Sequence, residues 1–428
     1  MKVLFVSNDL IGGNIACLLQ KEGHDVKLFI EAKDRRNNLE GFVKKTNNWK
    51  KELKWVGKDG LIVFDDVGYG QDQDNLRKKG YIVFGGSEEG ERLERDRAYG
   101  QQIFREYGLK TVTLKDFSNP HEALRFAKKN PGQWVIKQND HHYAKVSSYV
   151  GELSNGKDVI DMLEHFSNHS ILKRQKISLQ KKIIGIEIGI GRYFNGYNWV
   201  GPIEYNIEHP RLFPGDIGPI TSEMGTLAWY SENESARLFK EVLEKLKPFL
   251  RLANFKGDFE INCIVNENGA FPLEATTRMG SPIVHLQSEL NKSPWGEFLF
   301  SVASGSNYNL KWKKGYGIVV LGAVPPFPFE YKKRSLFEGV RIYFDKCSKK
   351  DMAHIHFEEV SRKEGNYYIS DSRGYTLYVT EVDKDISSAQ KKVYQILKKI
   401  CIPKLFYRND IGSSFIKNKK KLLQWGFL

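Results

Sequence analysis

Residues 1–86 alternate short apolar runs with polar stretches that contain glycine. The runs KVLFVS, DVKLFI, LIVFDD and YIVFGG predict strands, and GGNIACLLQKEG predicts a helix that opens at its glycines and ends at Gly23. Strands that alternate with helices predict a parallel sheet in an α/β domain. A further helix is predicted from near Glu91 to Gly108.

From about residue 110 the pattern changes to mixed strands and helices. Strands are predicted at TVTLKDF, QWVIKQ, SILKRQKI and GIEIGIGRYF, and helices at PHEALRFAKKN and GKDVIDMLEHF. Residues 234–253 have helical spacing, and GDFEINCIV, NENG and AFPLEAT predict a hairpin. After Trp312 the strands GYGIVVLGAV, GVRIYF and YTLYVTEV precede a helix, ISSAQKKVYQILKKI. The predicted fold class is an α/β entry domain, an α+β centre and a small C-terminal α+β domain.

Composition narrows the function classes. The chain has 428 residues, too many for one ordinary core, and 40% of them are hydrophobic. Lys and Arg exceed Asp and Glu by 14, a surplus that attracts phosphorylated small molecules, nucleic acid or acidic lipid, or merely solvates the surface. The lysines are spread along the chain, which favours solvation. The dense run 417–421 lacks the interleaved aromatic residues that stack on bases, so nucleic acid stays open as a partner without a motif.

Localisation follows from what the sequence lacks. The cysteines are scattered without a CxxC pair, which indicates neither a zinc site nor a disulfide framework. No apolar run approaches the roughly 20 residues that span a bilayer. We therefore expect a cytoplasmic protein that does not enter a membrane.

Four segments, taken in order, resemble the phosphoribosylamine–glycine ligase family of the ATP-grasp superfamily. They are LRKKGYIVFGGSEEGERLERDRAYGQQIFREYGL (76–109), GDIGPITSEMGT (215–226), LEATTRMGSP (273–282), and YTLYVTEVDKDISSAQKKVYQI with YRNDIG (407–412). The resemblance implies an ATP-grasp fold with an N-terminal Rossmann-like domain. It implies an N-terminal domain at 1–108, an ATP-grasp domain at 109–310 with a nucleotide-clamping subdomain at about 110–195, and a C-terminal domain at 311–428.

The resemblance also implies the chemistry. ATP with Mg²⁺, or Mn²⁺ in its place, would convert a carboxylate into an acyl phosphate, and an amine would displace phosphate to form an amide. In the parent family the carboxylate is glycine, the amine is phosphoribosylamine, and the reaction belongs to purine biosynthesis. The expected partners are these small molecules, and a monomer or a homodimer is expected.

Cations over the nucleotide phosphates are needed for phosphoryl transfer. Lys137 at the end of strand QWVIK matches the family lysine that reaches the phosphates, Lys145 in the following loop can add a second cation, and Arg97 stands where the family has a lysine. Gln175 in LKRQKI falls at the hinge that holds adenine, and Glu187 matches the glutamate after that hinge. Solvated strand-end and outward-facing polar residues are the alternative interpretation.

Magnesium takes hard oxygen ligands. Glu274 matches the family's metal glutamate, and Glu260 is the second carboxylate. Asp258, Glu260 and Asn262 alternate along one strand, so their side chains should share a face. Asn262 is the third predicted ligand, although a solvent-facing polar stripe would alternate in the same way.

The substrate residues are implied by the resemblance as well. Arg278 would clamp the amino-acid carboxylate with its planar fork, with a structural ion pair as the alternative. Together with Asp216 and Lys137 it forms the predicted catalytic set. The segment 215–226 is expected to be an ordered loop that closes over the substrates. The predicted substrate-binding residues are Gly12, Gly13, Asp216, Gly218, Thr221, Glu223, Met224 and Arg278.

Departures from the family pattern cluster around the expected substrates. The first turn is NDLIGGNIACLL, where the family has GxGGREHAL for a sugar phosphate; Gly12 and Gly13 still offer N–H groups at a helix N-terminus. The glycine-rich flap has become KQNDHHYAKVSSYV, in which His141 and His142 could contact phosphate or simply be exposed. The metal asparagine has become Thr276. Two alternatives therefore stay open: a related ligase with another amine, such as a nucleotide or modified base, or a non-catalytic nucleotide-binding protein.

Overall fold

The structure is a computed structural model that describes residues 1–138, 148–170, 172–329 and 336–428. Its first sheet is parallel and has the strand order β3-β2-β1-β4-β5. The strands are β1 (Lys2–Ser7), β2 (Asp25–Ile30), β3 (Lys44–Lys45), β4 (Leu61–Phe64) and β5 (Ile82–Phe84). The predicted α/β entry domain is thus confirmed. The strand order reverses between β1 and β4, and ligands of open α/β sheets bind at such a switch point.

The second sheet has the antiparallel order β6-β9-β7-β8. Its strands are β6 (Leu114–Phe117), β7 (Trp134–Gln138), β8 (Tyr149–Val150) and β9 (Ile177–Lys181). We call it the clamp sheet. It ends at Lys181, before the predicted limit of about 195, because the next strand pairs with the central sheet instead. The predicted strand SILKRQKI was wrong except for its last residue, because Leu172–Arg174 form a 3-10 turn and β9 begins only at Ile177.

The central sheet has the order β16-β15-β10-β11-β14-β17-β22-β19. Its strands, together with the small hairpin and the small sheet beside it, are β10 (Ile186–Asn195), β11 (Trp199–Glu208), β12 (Arg211–Phe213), β13 (Ile217–Ile220), β14 (Gly225–Ser231), β15 (Lys256–Asn266), β16 (Gly269–Thr276), β17 (Tyr316–Ala323), β18 (Arg341–Ile342), β19 (Ile355–Phe357), β20 (Val360–Lys363), β21 (Asn366–Ile369) and β22 (Tyr375–Asp383). Strands β17, β19 and β22 come from the predicted C-terminal domain, yet they extend this sheet. The domain limits themselves stay a prediction.

The helices cover the sheets. They are α1 (Gly13–Lys21), α2 (Leu53–Val56), α3 (Gly70–Lys78), α4 (Glu88–Arg95), α5 (Arg97–Glu106), α6 (Pro120–Lys129), α7 (Lys157–Asn168), α8 (Glu244–Leu252), α9 (Ile283–Leu290), α10 (Trp295–Ser304), α11 (Lys349–Ala353), α12 (Ile386–Leu397) and α13 (Ser413–Gln424). The single helix predicted up to Gly108 is divided into α4 and α5. Asp96 interrupts it, because its side chain accepts a hydrogen bond from the Tyr99 N–H and so caps α5. Within the described ranges, every helix is too short or too polar to span a bilayer.

The largest hydrophobic cluster lies on the central sheet. It joins residues of β10, β11 and β15 with residues of α8 and with α12 and α13 near the C-terminus. This continuous core holds the central sheet rigid, and the opposite, polar face of β10, β11 and β15 is the part that concerns function.

Candidate active site

Polar side chains line one face of the central sheet. Glu260 pairs in register with Thr276, and Asn262 with Glu274, so these four side chains project to the same side. The shared face predicted for Asp258, Glu260 and Asn262 agrees with this register. We call Glu187, Glu208, Glu223, Glu260, Asn262 and Glu274 the acidic face.

Glycines of β10 make room for this face. Gly189 lies opposite Asn262 on one side and Asn206 on the other. A Cβ atom at Gly189 would stand 2.2 Å from Asn206 Oδ1 and 2.7 Å from Glu260 Oε1. The missing side chain therefore lets polar groups of both neighbouring strands lean across β10.

The acidic face offers hard oxygen atoms for a metal ion. The Asn262 amide nitrogen donates to Glu187 Oε1 at 2.7 Å and to Glu208 Oε2 at 3.2 Å, which turns its buried oxygen Oδ1 away without a partner among the described residues. No three His, Cys, Asp or Glu side chains in the described part converge closely enough to hold a metal by themselves. Glu260, Glu274 and the Asn262 oxygen fit Mg²⁺ if the nucleotide phosphates and water complete its shell.

Burial raises the pKa values of these acids. The pKa of Glu208 and that of Glu223 lie well above their usual range because burial disfavours the charged form and neighbouring carboxylates repel it. Burial also raises the pKa of Glu260, against the opposing effects of the Asn206 hydrogen bond and Arg278. A cluster of this kind gains stability from a cation, whether a metal ion or a protein side chain.

Lys137 and Arg97 supply positive charge to the acidic face. Lys137 reaches it from β7 of the clamp sheet, close enough for the charges of Glu274 and Glu187 to act on its pKa. Burial and then Arg97 lower the pKa of Lys137 to about 8, against the opposing effect of those two carboxylates. Arg97 Nη2 lies 3.4 Å from Glu274 Oε2. The structure thus brings two of the predicted phosphate cations, Lys137 of the clamp sheet and Arg97 of α5, towards the predicted metal acid of the central sheet.

A cavity of about 310 Å³ opens at the end of this face. Glu187, Glu208 and Asp216 contribute to its lining, as does Ser414 of α13. Asp216 accepts a hydrogen bond from Arg408 Nη1 at 2.9 Å, and Asp410 accepts one from the Gly215 N–H at 2.9 Å. The GDIGP and YRNDIG segments are therefore in direct contact.

The segment 215–226 is less of a loop than predicted. It contains β13, which forms a hairpin with β12 around Asp216 and Gly215, and both residues have positive φ angles. Gly218 also has positive φ, which suits glycine. The hydroxyl of Thr221 donates to the Pro210 carbonyl at 2.8 Å. These contacts order the segment, while its expected closure over substrates stays a prediction.

Met224 and Glu223 of this segment lie in different surroundings, the first apolar and the second polar. Met224 is fully buried in a hydrophobic cluster that includes Leu286 and Val319, so its position supports the segment from behind and does not favour the predicted substrate contact. Glu223 accepts a hydrogen bond from the Thr226 hydroxyl, and its charge acts on the pKa of Glu208. It therefore belongs to the acidic face.

Arg278 joins the acidic face to the first sheet. Its Nε donates to Glu94 Oε1 at 3.0 Å and lies 3.8 Å from Asp66 Oδ1, while Nη1 donates to the Met279 carbonyl at 2.9 Å. The alternative interpretation as a structural ion pair is therefore present in the structure. The role as a carboxylate clamp stays a prediction.

The N-terminus of α1 is closed. The Gly12 N–H donates to Asp65 Oδ2 at 2.6 Å, and the Ser7 hydroxyl donates to the same oxygen at 2.9 Å. A Cβ atom at Gly12 would meet Met279 Sδ at 2.8 Å, and Gly13 is equally enclosed by Leu10. The geometry does not support the predicted anion site at Gly12 and Gly13, because a protein carboxylate already occupies it.

The predicted nucleotide contact of Gln175 stays a prediction, although its place in the fold differs from the expected hinge. The segment that joins the clamp sheet to the central sheet is residues 182–185, between β9 and β10. Gln175 precedes β9 and so lies outside this connection, with its Oε1 buried and without a described partner. Lys145, His141 and His142 lie outside the described residues.

Sequence reasoning missed several residues of the site. Glu204, Asn206 and Glu208 alternate along β11 within the otherwise apolar WVGPIEYNIE, the same signal that singled out Asp258, Glu260 and Asn262. Gln287 of α9 donates to Glu204 at 3.0 Å and to Asp258 at 2.9 Å. Asp65, Asp66 and Glu94 had no such signal, because strand order alone brings them to Gly12 and Arg278.

The chain is similar in sequence and in structure to proteins of known family. Residues 95–283 match the family model of the phosphoribosylglycinamide synthetase ATP-grasp (A) domain. The phosphoribosylamine–glycine ligase of Lactococcus lactis is 25% identical over 387 residues, which cover 87% of each chain. The crystal structure of phosphoribosylamine–glycine ligase from Thermotoga maritima superposes with a TM-score of 0.73 at 20% identity, covering 96% of this chain and 100% of that one.

A biotin carboxylase from Campylobacter jejuni, solved as a β-γ-ATP complex, has a TM-score of 0.65 at 13% identity over 99% of this chain and 96% of its own. These likenesses confirm the ATP-grasp fold, and the family resemblance predicted from the motifs is confirmed.

Proposed function

We propose that this chain, whose residues 95–283 match the family model of the phosphoribosylglycinamide synthetase ATP-grasp (A) domain, is a member of that family and an ATP-dependent carboxylate–amine ligase. It forms a C–N bond through an acyl phosphate. Glycine is the first carboxylate to test, because the curated relatives are phosphoribosylamine–glycine ligases.

One observation carries the proposal. Lys137 and Arg97 come from separate elements, and both carry their charge to Glu274 on the edge of the acidic face. Two cations beside a carboxylate suit a metal–triphosphate, which presents negative oxygens to the cations and a metal to the carboxylate. A packed core or a solvated surface would need neither the converging cations nor the carboxylate beside them.

Each residue of the site would have its own role in the reaction. Lys137 and Arg97 hold the phosphate oxygens and offset charge as the γ-phosphoryl group moves to the carboxylate. Glu274, Glu260 and the Asn262 oxygen would hold Mg²⁺, which supplies charge neutralisation at the phosphates when bound. Arg278 lies between the acidic face and the first sheet, where it would align the carboxylate after releasing Glu94. Asp216, held by Arg408, lines the cavity at the end of the acidic face.

The reaction balances without a further reactant. The carboxylate oxygen attacks the γ-phosphorus of ATP, the bond to ADP breaks, and an acyl phosphate forms. The amine nitrogen then attacks the acyl carbon, phosphate leaves, and the nitrogen loses a proton as the amide forms. Formation of the acyl phosphate and its reaction with the amine can be measured separately.

Trapping with hydroxylamine tests the first part. The full chain with ATP, Mg²⁺, a panel of amino acids and hydroxylamine should yield a hydroxamate with at least one carboxylate, and phosphate release should equal hydroxamate formed. Glycine is expected to be the best. ATP binding without hydroxamate from any carboxylate would contradict a ligase and favour a non-catalytic nucleotide-binding protein, the reading that the Thr276 departure motivates.

A further inference from the structure

The carboxyl ends of β1 and β4 meet at the switch point of the first sheet, the place where ligands of open α/β sheets bind in a crevice. Ser7 ends β1, and Asp65 and Asp66 directly follow β4. We call Asp9, Asp65, Asp66, Glu94 and Arg278 the switch-point crevice. Arg278 connects it to the acidic face, since its charge acts on the pKa values of both Asp66 and Glu260. If the proposed function holds, a molecule in this crevice lies beside the activated carboxylate, which is the place of the amine.

Carboxylates outnumber cations in this crevice. Arg278 is engaged by Glu94 and by a backbone carbonyl. The neighbouring Arg373 binds both oxygens of Asp9, at 2.9 and 3.0 Å, and Asp34 at 2.9 Å. Each of these guanidinium groups already faces a carboxylate, and a phosphate group would have to displace that carboxylate to reach it.

The helix terminus that could receive a phosphate is also closed. Asp65 accepts from the Gly12 N–H and from the Ser7 hydroxyl with the same oxygen, Oδ2. Asp65 is 0% exposed. Its other oxygen, Oδ1, is buried and has no hydrogen-bond partner among the described residues. A carboxyl group of the protein thus sits where the helix dipole would attract an anion, and its second oxygen can accept a further hydrogen bond.

We propose that the switch-point crevice recognises a phosphate-free part of the amine substrate, an ammonium or a set of hydroxyl groups that donates hydrogen bonds to Asp66 and its neighbouring carboxylates. This inference rests on the proposed function and specifies its second substrate. Asp66 is the central group, because its side chain stays 8% exposed at the floor of the crevice while Asp9 is 43% exposed at its mouth.

Competition with hydroxylamine tests this directly. The full chain makes hydroxamate from ATP and the best carboxylate, and an amine that binds productively diverts the acyl phosphate and lowers the hydroxamate yield. Glucosamine and glucosamine 6-phosphate form a matched pair that differs only in the phosphate, and 1,4-diaminobutane presents an ammonium without hydroxyls. A phosphate-free amine should halve the yield at a concentration at least tenfold below that needed for glucosamine 6-phosphate.

Variants refine the test. Asp66→Asn should raise the half-effective concentration of diaminobutane at least tenfold and that of glucosamine less, because an amide oxygen still accepts from a hydroxyl. Asp72→Asn, an exposed residue of α3 that pairs with Lys50, is the control and should change neither. If Asp66→Asn does not fold, Asp9→Asn takes its place.

The outcomes separate the two proposals. No hydroxamate in the absence of amine would count against the ligase function itself. Normal hydroxamate formation with equal or stronger competition by glucosamine 6-phosphate, or no competition by any phosphate-free amine, would overturn the crevice assignment alone.

Discussion

The acidic face and the switch-point crevice are both rich in carboxylates, but the cations are placed differently in the two regions. At the acidic face, Lys137 and Arg97 approach from outside the central sheet, and Asn262 keeps a buried oxygen without a described partner. In the crevice, Arg278 is tied to Glu94 and the helix N-terminus is tied to Asp65. The first region presents both cations and carboxylates to a ligand, whereas in the second the carboxylates already engage the guanidinium group and the helix N-terminus that could bind a phosphate.

Under the proposed function, the two regions serve different halves of the reaction. The nucleotide half retains Lys137 and Glu274, and it departs from the family pattern at Arg97, at Thr276 and in the flap. The amine half departs in sequence at NDLIGG, and the structure gives that departure a physical form, since Asp65 fills the turn. A fold can therefore preserve activation of a carboxylate while it changes the molecule that receives it.

Removal of the metal acid should have the largest effect. Glu274→Ala should lower Mg²⁺-dependent hydroxamate formation about 10²- to 10³-fold, because the metal loses a carboxylate ligand and Arg97 its partner. The side chain is 54% exposed, so the unfolding temperature should stay the same. Glu267→Ala at the turn of the same hairpin is the matched control. Full activity of Glu274→Ala would remove this residue from the mechanism and weaken the contrast between the regions.

Lys137 provides the next largest effect and a pH signature. Lys137→Ala should weaken ATP binding about 10- to 100-fold, because a charge-assisted contact is lost. The pKa of Lys137 is lowered to about 8, and the charged form is the one that binds phosphate. ATP affinity should therefore be highest below pH 8 and fall as the pH rises through that value.

Calorimetric titration of ATP from pH 6.5 to 9.5 measures this slope. Lys137→Arg should remove it, since arginine stays charged throughout, and Lys129→Ala on α6 is the exposed control. An unchanged slope in Lys137→Arg would show that another group titrates and that the acidic face does not depend on this cation.

Asp65→Asn tests the crevice through stability. Burial raises the pKa of Asp65 to about 7, so the folded state binds its proton more tightly than the unfolded state does. Its carboxyl therefore favours folding at low pH and loses that contribution as the pH rises from about 4 to 7. Asparagine keeps an oxygen for Gly12 and Ser7 without the charge. The variant should be more stable than the natural chain by about 2 kcal/mol at pH 8 and not at pH 4.5.

Thermal unfolding of both proteins at the two pH values measures the difference. A constant difference would mean that Asp65 has the same pKa in the folded and unfolded chains, and that burial in the crevice does not disfavour its charge.

Local patterns predicted most strands and the shared face of Glu260 and Asn262, because alternation is a property of a single strand. The convergence of Lys137 with Glu274 followed from the family resemblance and agrees with the structure. Boundaries were harder to predict: SILKRQKI contains a 3-10 turn and only the first residue of β9, and no periodicity separates the two. Contacts between distant residues, such as Asp65 with Gly12 and Arg408 with Asp216, depend on strand order and had no local signal.

The smallest effect is expected for substitution of a glycine. Glycine leaves space in both regions, but different groups fill that space. In the crevice the space at Gly12 is filled by packing against Met279 and Asp65, whereas at Gly189 it is filled by the polar groups of the acidic face. Gly189→Ala would place a methyl group against Asn206 and Glu260 and should cost about 1–2 kcal/mol of stability, with about a tenfold rise in the Mg²⁺ concentration for half-maximal hydroxamate formation.

Gly191→Ala is the matched variant on the same strand. Its Cβ would lie 3.3 Å from Glu260 Cβ and from the Phe259 carbonyl, so a small shift should accommodate it and the Mg²⁺ requirement should change less than threefold. Equal effects of the two alanines would indicate that strand rigidity, and not the position of the Glu260 carboxylate, sets the metal affinity. A selective effect at Gly189 would tie the space left by one glycine directly to the charge arrangement that distinguishes the acidic face from the crevice.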